Sequence, residues 1–228
     1  MKRKLLNYQH ILCDTAILML SCMALLLTSC DAHRDFPDTS TQVCDILCTD
    51  GKVVSQSHFD KSDKEAIAVV YHINHDENVE GTGFAVYLWD MPPAAFADSI
   101  GVKQGTSGSL TDFDGNANTY ALFSTKDMSS PMAKQVFDMW KYGQSAYVPS
   151  VAQMYLLYNA RSQINAVINR LGGEPIPDNP DECWYWTSTE CANMEAGKAW
   201  LFSLATGAYH ECPKDQKHKV RPVVTIYK

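Results

Sequence analysis

"CWYWTSTE", Cys183 to Glu190, runs three aromatics together and follows them with three hydroxyl side chains and an acid. Alone, such a run reads as a buried strand, as a sugar-stacking platform, or as an irregular loop braced by hydroxyls. Its neighbours discriminate. Immediately before it, "EPIPDNPDE" (174–182) carries three prolines and four acids in nine residues. Proline denies the backbone both helix and central-strand pairing, so this segment is a loop. After it come "KAWLFSL" (198–204) and "AYHE" (208–211) about Thr206-Gly207, then "VRPVVTIY" (220–227). These are β-branched and aromatic runs bounded by turn residues, and they make the opening stretch one strand of a set.

Upstream the period changes from strand to helix. In "SSPMAKQVFDMWKYG" (129–143), Ser130 is a cap, Pro131 fits the first helical position and Gly143 is the stop. Met132, Val136, Met139 and Trp140 recur at helical spacing. In "PSVAQMYLLYNA" (149–160), Ser150 and Gln153 form a capping box that opens a short helix. In "RSQINAVINRLGG" (161–173), Ile164, Val167, Ile168 and Leu171 mark a third helix, closed by Gly172 or Gly173. Residues 94–124 turn to Gly, Ser, Thr, Asp and Asn and read as a long, mostly irregular segment. Before them, "CDILCTDGKVV" (44–54) predicts a hairpin about Thr49-Asp50-Gly51, and "AIAVVYHI" (66–73) with "TGFAVYLWD" (82–90) a second strand pair. Strands, then helices, then strands describe an α+β domain of antiparallel strands, about three short helices and long loops.

The first residues set the compartment. Lys2, Arg3 and Lys4 precede "AILMLSCMALLLTSC" (16–30), an apolar stretch too short and interrupted for a membrane span, which reads as a signal peptide over 1–29. Leu27-Thr28-Ser29-Cys30 fits a bacterial lipobox, with Cys30 the lipidated first residue of the mature chain. Acylation with more than one chain anchors a protein stably to a bilayer. Polar residues 30–43 then form a tether, and 44–228 a single domain of 185 residues. The formal charge of −7 becomes −9 once Lys2, Arg3, Lys4 and Asp14 leave, which argues against polyanion binding, nucleic acid included, as the main role. Five of the eight cysteines stay in the domain: Cys44, Cys48, Cys183, Cys191 and Cys212. An odd number outside the cytoplasm leaves at least one thiol unpaired within the chain. Cys183, Cys191 and Cys212 surround one aromatic region, so a bridge among them is a reading to test, and spacing does not choose the pair.

In order, the landmarks are "DGKVV", "GTGFAVYLWD", "DGNANTYAL", "AYVPSVAQMYLLY", "INAVINRLGG", "YWTSTE", "KAWLFSLATG" and "VRPVVTIY". This colinear set resembles a bacterial family named after the C-terminal domain of a Legionella collagen-like protein, related to the major paralogous domains of some surface proteomes. The resemblance spans most of 44–228. Val148 stands where that family has Leu, Thr187 where it has Ser, and Gln153-Met154 where it has Glu-Leu. It implies a fold similar to C-type-lectin-like and sulfatase-modifying-factor domains. It also implies that Trp184, Trp186, Ser188, Thr189, Glu190, Trp200 and Arg221 are a structural signature. Alternate aromatics would enter the core, Ser188 and Thr189 would bond neighbouring loop backbone, and Glu190 would pair internally with Arg221. A half-buried cation at Arg221 needs such a partner.

Reactive chemistry finds little support in the residues. Formylglycine-generating relatives of such folds use paired cysteines, but no motif makes Cys183, Cys191 or Cys212, with His210 nearby, a reactive pair. A cysteine-dependent enzyme is therefore the third option and no catalytic residue is assigned. His72 and His75 would point to opposite faces of a strand, which disfavours zinc. Sugar-binding C-type lectins hold calcium through Glu-Pro-Asn or Gln-Pro-Asp and a later Trp-Asn-Asp. Here Glu174, Asp178, Asn179, Asp181 and Glu182 offer oxygen ligands, but "YWTSTE" lacks the Asn-Asp pair. No metal is assigned, and calcium in the acidic loop is the one cofactor left to test. "GTSGSLTDFDG" (105–115) lacks the ending and context of a phosphate-binding loop.

The expectation is a non-enzymatic, lipid-anchored protein of the cell envelope, at the outer membrane and exposed on the surface. Its lectin-like domain would bind a carbohydrate or an extracellular protein in adhesion, through Glu174, Asp178, Asn179, Glu182 and Tyr209. The alternative is a structural or assembly component of a surface appendage or envelope complex that recognises no sugar.

Overall fold

Eleven strands and four helices occur among the described residues, which are 40–139 and 146–227 of a computed structural model. The signal segment, Cys30, most of the tether, Trp140 and Gly143 lie outside them. Thr41 onward is one compact unit. The order is β1 (Ile46–Cys48), β2 (Val53–Val54), α1 (Gln56–Phe59), β3 (Ala66–Ile73), β4 (Gly83–Tyr87) and β5 (Met91–Ala95). Then follow α2 (Gly115–Ser124), α3 (Pro131–Phe137), β6 (Ala146–Tyr147) and α4 (Val151–Arg170). The chain closes with β7 (Trp184–Glu190), β8 (Lys198–Ser203), β9 (Tyr209–Pro213), β10 (Lys217–Val220) and β11 (Val223–Ile226). No helix among the described residues is long and apolar enough to cross a membrane.

One sheet has the order β2-β1-β3-β4-β11-β6 and the other β5-β10-β7-β8-β9. Every pairing is antiparallel except β10 with β7. Both expected strand pairs form, as β1–β2 and β3–β4. Successive strand residues feed two cores, as the two-residue period requires. Val70, Tyr87, Trp186 and Leu201 enter one, with Leu122, Met132 and Val136 of α2 and α3. Val69, Val86, Tyr185 and Phe202 enter the other, with Met154, Leu157, Ile164 and Ile168 of α4. Strands buried on both faces read as unbroken apolar runs, which accounts for "AIAVVY" and "GFAVY".

The chain changes sheet four times, after β4, β5, β6 and β10, and the first and last crossings touch: the Tyr87 N–H donates to the Pro222 carbonyl at 3.0 Å. "VRPVVTIY" is therefore not one strand. Val220 ends β10, Arg221-Pro222 crosses over and Val223 starts β11.

The helices differ from expectation in two ways. "PSVAQ…LGG" forms one helix of 20 residues, not two. Nothing between Asn159 and Ser162 breaks a helix, and Arg161 occupies the interrupted apolar stripe. Its Nη1 donates to the Leu204 carbonyl at 2.7 Å and its Nη2 pairs with Asp178 at 3.1 Å. The expected capping box at Ser150 and Gln153 is present, and Gly172 has the left-handed conformation, φ 75°. The second difference lies in 94–124, where α2 forms without a side-chain cap. Tertiary contact selects it. A Cβ on Gly115 would stand 2.8 Å from the Val148 carbonyl oxygen and 2.9 Å from Ser150 N, so the helix start fits against α4 only as glycine. Thr119 Oγ1 then accepts the Val148 N–H at 2.9 Å.

Candidate functional site

The opening stretch divides by chemistry. Tyr185 and Trp186 are fully buried on opposite faces of β7. The Trp186 indole donates to the Ala94 carbonyl at 3.0 Å and meets Phe96 edge-on, with ring centres 5.5 Å apart. The hydroxyl triple lies where β7 leaves its ladder, the register with β8 slipping between Trp186 and Glu190. Thr187 Oγ1 donates to the Trp200 carbonyl at 2.8 Å, and Thr189 Oγ1 accepts the Val151 N–H at 3.4 Å, at the start of α4. Ser188 behaves differently from expectation: its backbone N–H reaches the Pro149 carbonyl, while its buried hydroxyl has no partner among the described residues.

Glu190 pairs with Lys214, not with Arg221. Both side chains are fully buried, with Nζ 2.7 Å from Oε1. The carboxylate also accepts the N–H groups of Gln104 (2.8 Å) and Thr106 (3.1 Å) and the Thr106 hydroxyl (3.0 Å). Lys214 donates further to the carbonyls of Val102 and Glu195, each at 3.1 Å, and lies over the Phe96 ring. The acid of "STE" thus fastens the long 99–114 connection to the sheet. A buried ion pair is tolerable only when its remaining lone pairs and protons are satisfied, as here.

Arg221, also fully buried, clamps the first and last sheet crossings. It donates to the carbonyls of Tyr87 (2.9 Å), Leu88 (3.1 Å) and Glu174 (2.7 Å), and to the Asp90 carboxylate (2.9 Å). Asp90 also accepts from Tyr185 Oη at 2.9 Å and Lys219 at 3.1 Å. Asp90 and Lys214 went unread in the sequence because each sits in a stretch with turn character, "LWDMPP" and "CPKDQ", that reads as solvated surface.

The expected ligand residues do not converge. Asp178 pairs with Arg161, and Glu174 lies 3.9 Å from Lys219 while its carbonyl serves Arg221. The Asn179 side chain donates to Glu182 at 3.2 Å and accepts the Asp181 N–H at 3.1 Å. Tyr209 is half exposed on the other face of the second sheet, edge-on to Trp200 at 5.4 Å. Among the described residues no three His, Cys, Asp or Glu side chains could hold a metal ion. His72 stacks against Phe84, and burial, with His75 nearby, lowers its pKa.

A cavity of about 350 Å³ does form at the edge of the acidic loop. Asp181, Glu182 and Trp184 bound one side, Pro93, Lys217, His218 and Lys219 the other. Trp184 is only partly buried, and the His210 ring lies behind it with centres 4.5 Å apart. Of the residues read from the sequence, the structure gathers here Asp181 and Glu182 of the acidic loop and Trp184, expected as core, with lysines the sequence analysis did not single out.

The imidazole that meets Cys212 is His218 rather than His210, with Sγ 3.6 Å from Nε2. Burial, reinforced by Asp215, pushes the Cys212 thiol up to about 11, and burial, reinforced by His210, lowers the His218 pKa. Both shifts favour neutral partners, the reverse of a thiolate–imidazolium pair. The five cysteines are all buried and unbridged. Geometry explains it: β8 separates Cys191 from Cys212, placing their Cα atoms about 10 Å apart, beyond the roughly 7 Å a bridge spans. Cys183 and Cys191 flank β7 at its two ends.

No protein-family model matches the chain, and no curated protein does. In architecture it is similar to a fimbrial protein of Bacteroides ovatus, with a TM-score of 0.62 and 16% identity. The likeness covers 82% of this chain and 49% of the other, so the chain spans about half the length of that protein.

Proposed function

We propose that this chain is a non-enzymatic, lipid-anchored protein of the bacterial cell envelope whose domain serves surface adhesion by recognising a carbohydrate or an extracellular protein. The observation that carries the reading is the shared architecture with a fimbrial protein over most of the domain. The lipobox ending at Cys30 supports the anchor and the outer-membrane location. The colinear motifs support kinship with the Legionella collagen-like protein family and a lectin-like fold. The burial of Glu190, Arg221 and Trp186 agrees with their reading as a structural signature. The neutral Cys212–His218 pair argues against a thiol enzyme.

A second reading, assembly of the appendage itself without sugar binding, draws on the same fimbrial likeness. Protease treatment of intact cells tests the common part: cleavage of the domain on whole cells supports surface adhesion, whereas protection until the envelope is opened overturns it. A glycan array beside an envelope pull-down separates the two readings. Silence on the array with a stoichiometric envelope partner selects assembly.

A further inference from the structure

We infer that the cavity beside Trp184 is a subsite for a single uncharged pyranose ring of a glycan. The inference rests on the adhesion reading and names the ligand class for it. The cavity, about 350 Å³, falls within the size range of small-ligand pockets, about 300–1,000 Å³. Its chemistry suits a sugar in three respects.

First, β7 presents two indoles to the same side of the sheet and treats them differently. Trp186 is sealed in the core with its N–H bonded to Ala94. Trp184 is left partly open, its N–H without a partner among the described residues, and the His210 ring backs it. A backed indole is a rigid platform, and its negative π face attracts the polarised C–H groups on the flat side of a pyranose. Second, the rim carries groups that are not consumed internally. The Asp181 carboxylate and the Lys217 ammonium have no side-chain partner among the described residues, and Glu182 accepts only from Asn179. Vicinal hydroxyls can donate to the carboxylates and accept from the lysine, and such charge-assisted bonds are the stronger kind.

Third, the charge selects among sugars. Lys219 is already held by Asp90 at 3.1 Å. Arg221 holds the same carboxylate, so the lining sets Asp181 and Glu182 against Lys217 and Lys219, with His218 kept neutral by burial. A rim balanced in charge gives uronate and sialate carboxylates no net attraction to offset their desolvation, so the occupant is neutral.

The test uses the full chain solubilised in detergent, titrated with the methyl glycosides of glucose, galactose and mannose, with glucuronate and N-acetylneuraminate as controls. Saturation-transfer NMR and tryptophan fluorescence are the readouts. The expected result is binding of at least one neutral glycoside, weakened about tenfold or more by Trp184→Ala and by Asp181→Asn. Asp181 is on an exposed loop, so its variant keeps the fold even where Trp184→Ala does not. Tyr155→Ala, exposed on α4 and outside the cavity lining, should leave binding unchanged. If the native protein binds a neutral glycoside and both cavity variants bind it equally well, the subsite is wrong while the adhesion reading stands. Preference for glucuronate overturns the ligand class. Absence of binding to every neutral glycoside overturns the subsite, and the envelope pull-down then decides whether the adhesion reading falls with it.

Discussion

At Glu190 and Lys214, two charges are removed from water entirely and compensated by a closed set of hydrogen bonds. Replacing Lys214 by Met leaves the carboxylate buried beside an apolar side chain and should cost about 3–5 kcal/mol in urea unfolding. Replacing both partners, Glu190→Gln with Lys214→Met, should recover part of that loss. Arg221→Met should be equally damaging, because it removes the one donor that ties three backbone carbonyls at the sheet crossings to Asp90. A stable Arg221→Met variant that only loses ligand would overturn the structural role. The thiols give a pH signature. Burial pushes Cys191 to about 12 and Cys212 to about 11, whereas the unfolded chain ionises them near 9. The stability is fully present below pH 9 and falls as pH rises through 9 toward 11–12, since only the unfolded state then releases those protons. Alkylation of the native protein at pH 8 should be slow at all five thiols and fast once denaturant is added.

Elements were legible wherever local signals and tertiary contact agree. Pro131 after Ser130 opens α3, and the Ser150 hydroxyl caps α4 while its proton goes to the Asp112 carbonyl at 2.7 Å. Ser150→Ala should therefore lower stability by about 1–2 kcal/mol, at the upper end for a cap, in a thermal melt. The start of α2 was not legible, because its determinant is the close approach of Gly115 to the Val148–Ser150 segment rather than any cap or apolar stripe. Gly115→Ala, favourable in an isolated helix, should destabilise this one by about 1–3 kcal/mol through overpacking. The false break in α4 has the same origin: a polar residue on an apolar stripe signals an end, unless, like Arg161, it has carbonyl and carboxylate partners.

For the whole molecule, the proposed lipid anchor and the folded domain are tested separately. Cys30→Ala should shift the protein from the membrane to the soluble fraction while leaving its melting temperature unchanged. Removal of calcium by a chelator should likewise leave the melt unchanged, since among the described residues no three acidic-loop side chains converge on one point, Asp178 turning to Arg161 and Glu182 to Asn179. The candidate site was half legible. Trp184 and the acidic loop stand out by composition, yet their meeting with Lys217 and His218 depends on β10 pairing parallel beside β7. A parallel neighbour is set by chain crossings far away in sequence, and no local pattern announces it.

The sequence by itself determined most of the strand runs, the two capped helices and the proline-rich loop, because each is written in residues close along the chain. Only the tertiary structure decided that Glu190 takes Lys214, that Arg221 takes Asp90, and that Trp186 is sealed while Trp184 stays open. Those outcomes depend on which distant groups are desolvated together. Burial turns a surface-like lysine or aspartate into an obligatory partner, and burial is a property of the packed chain rather than of any segment.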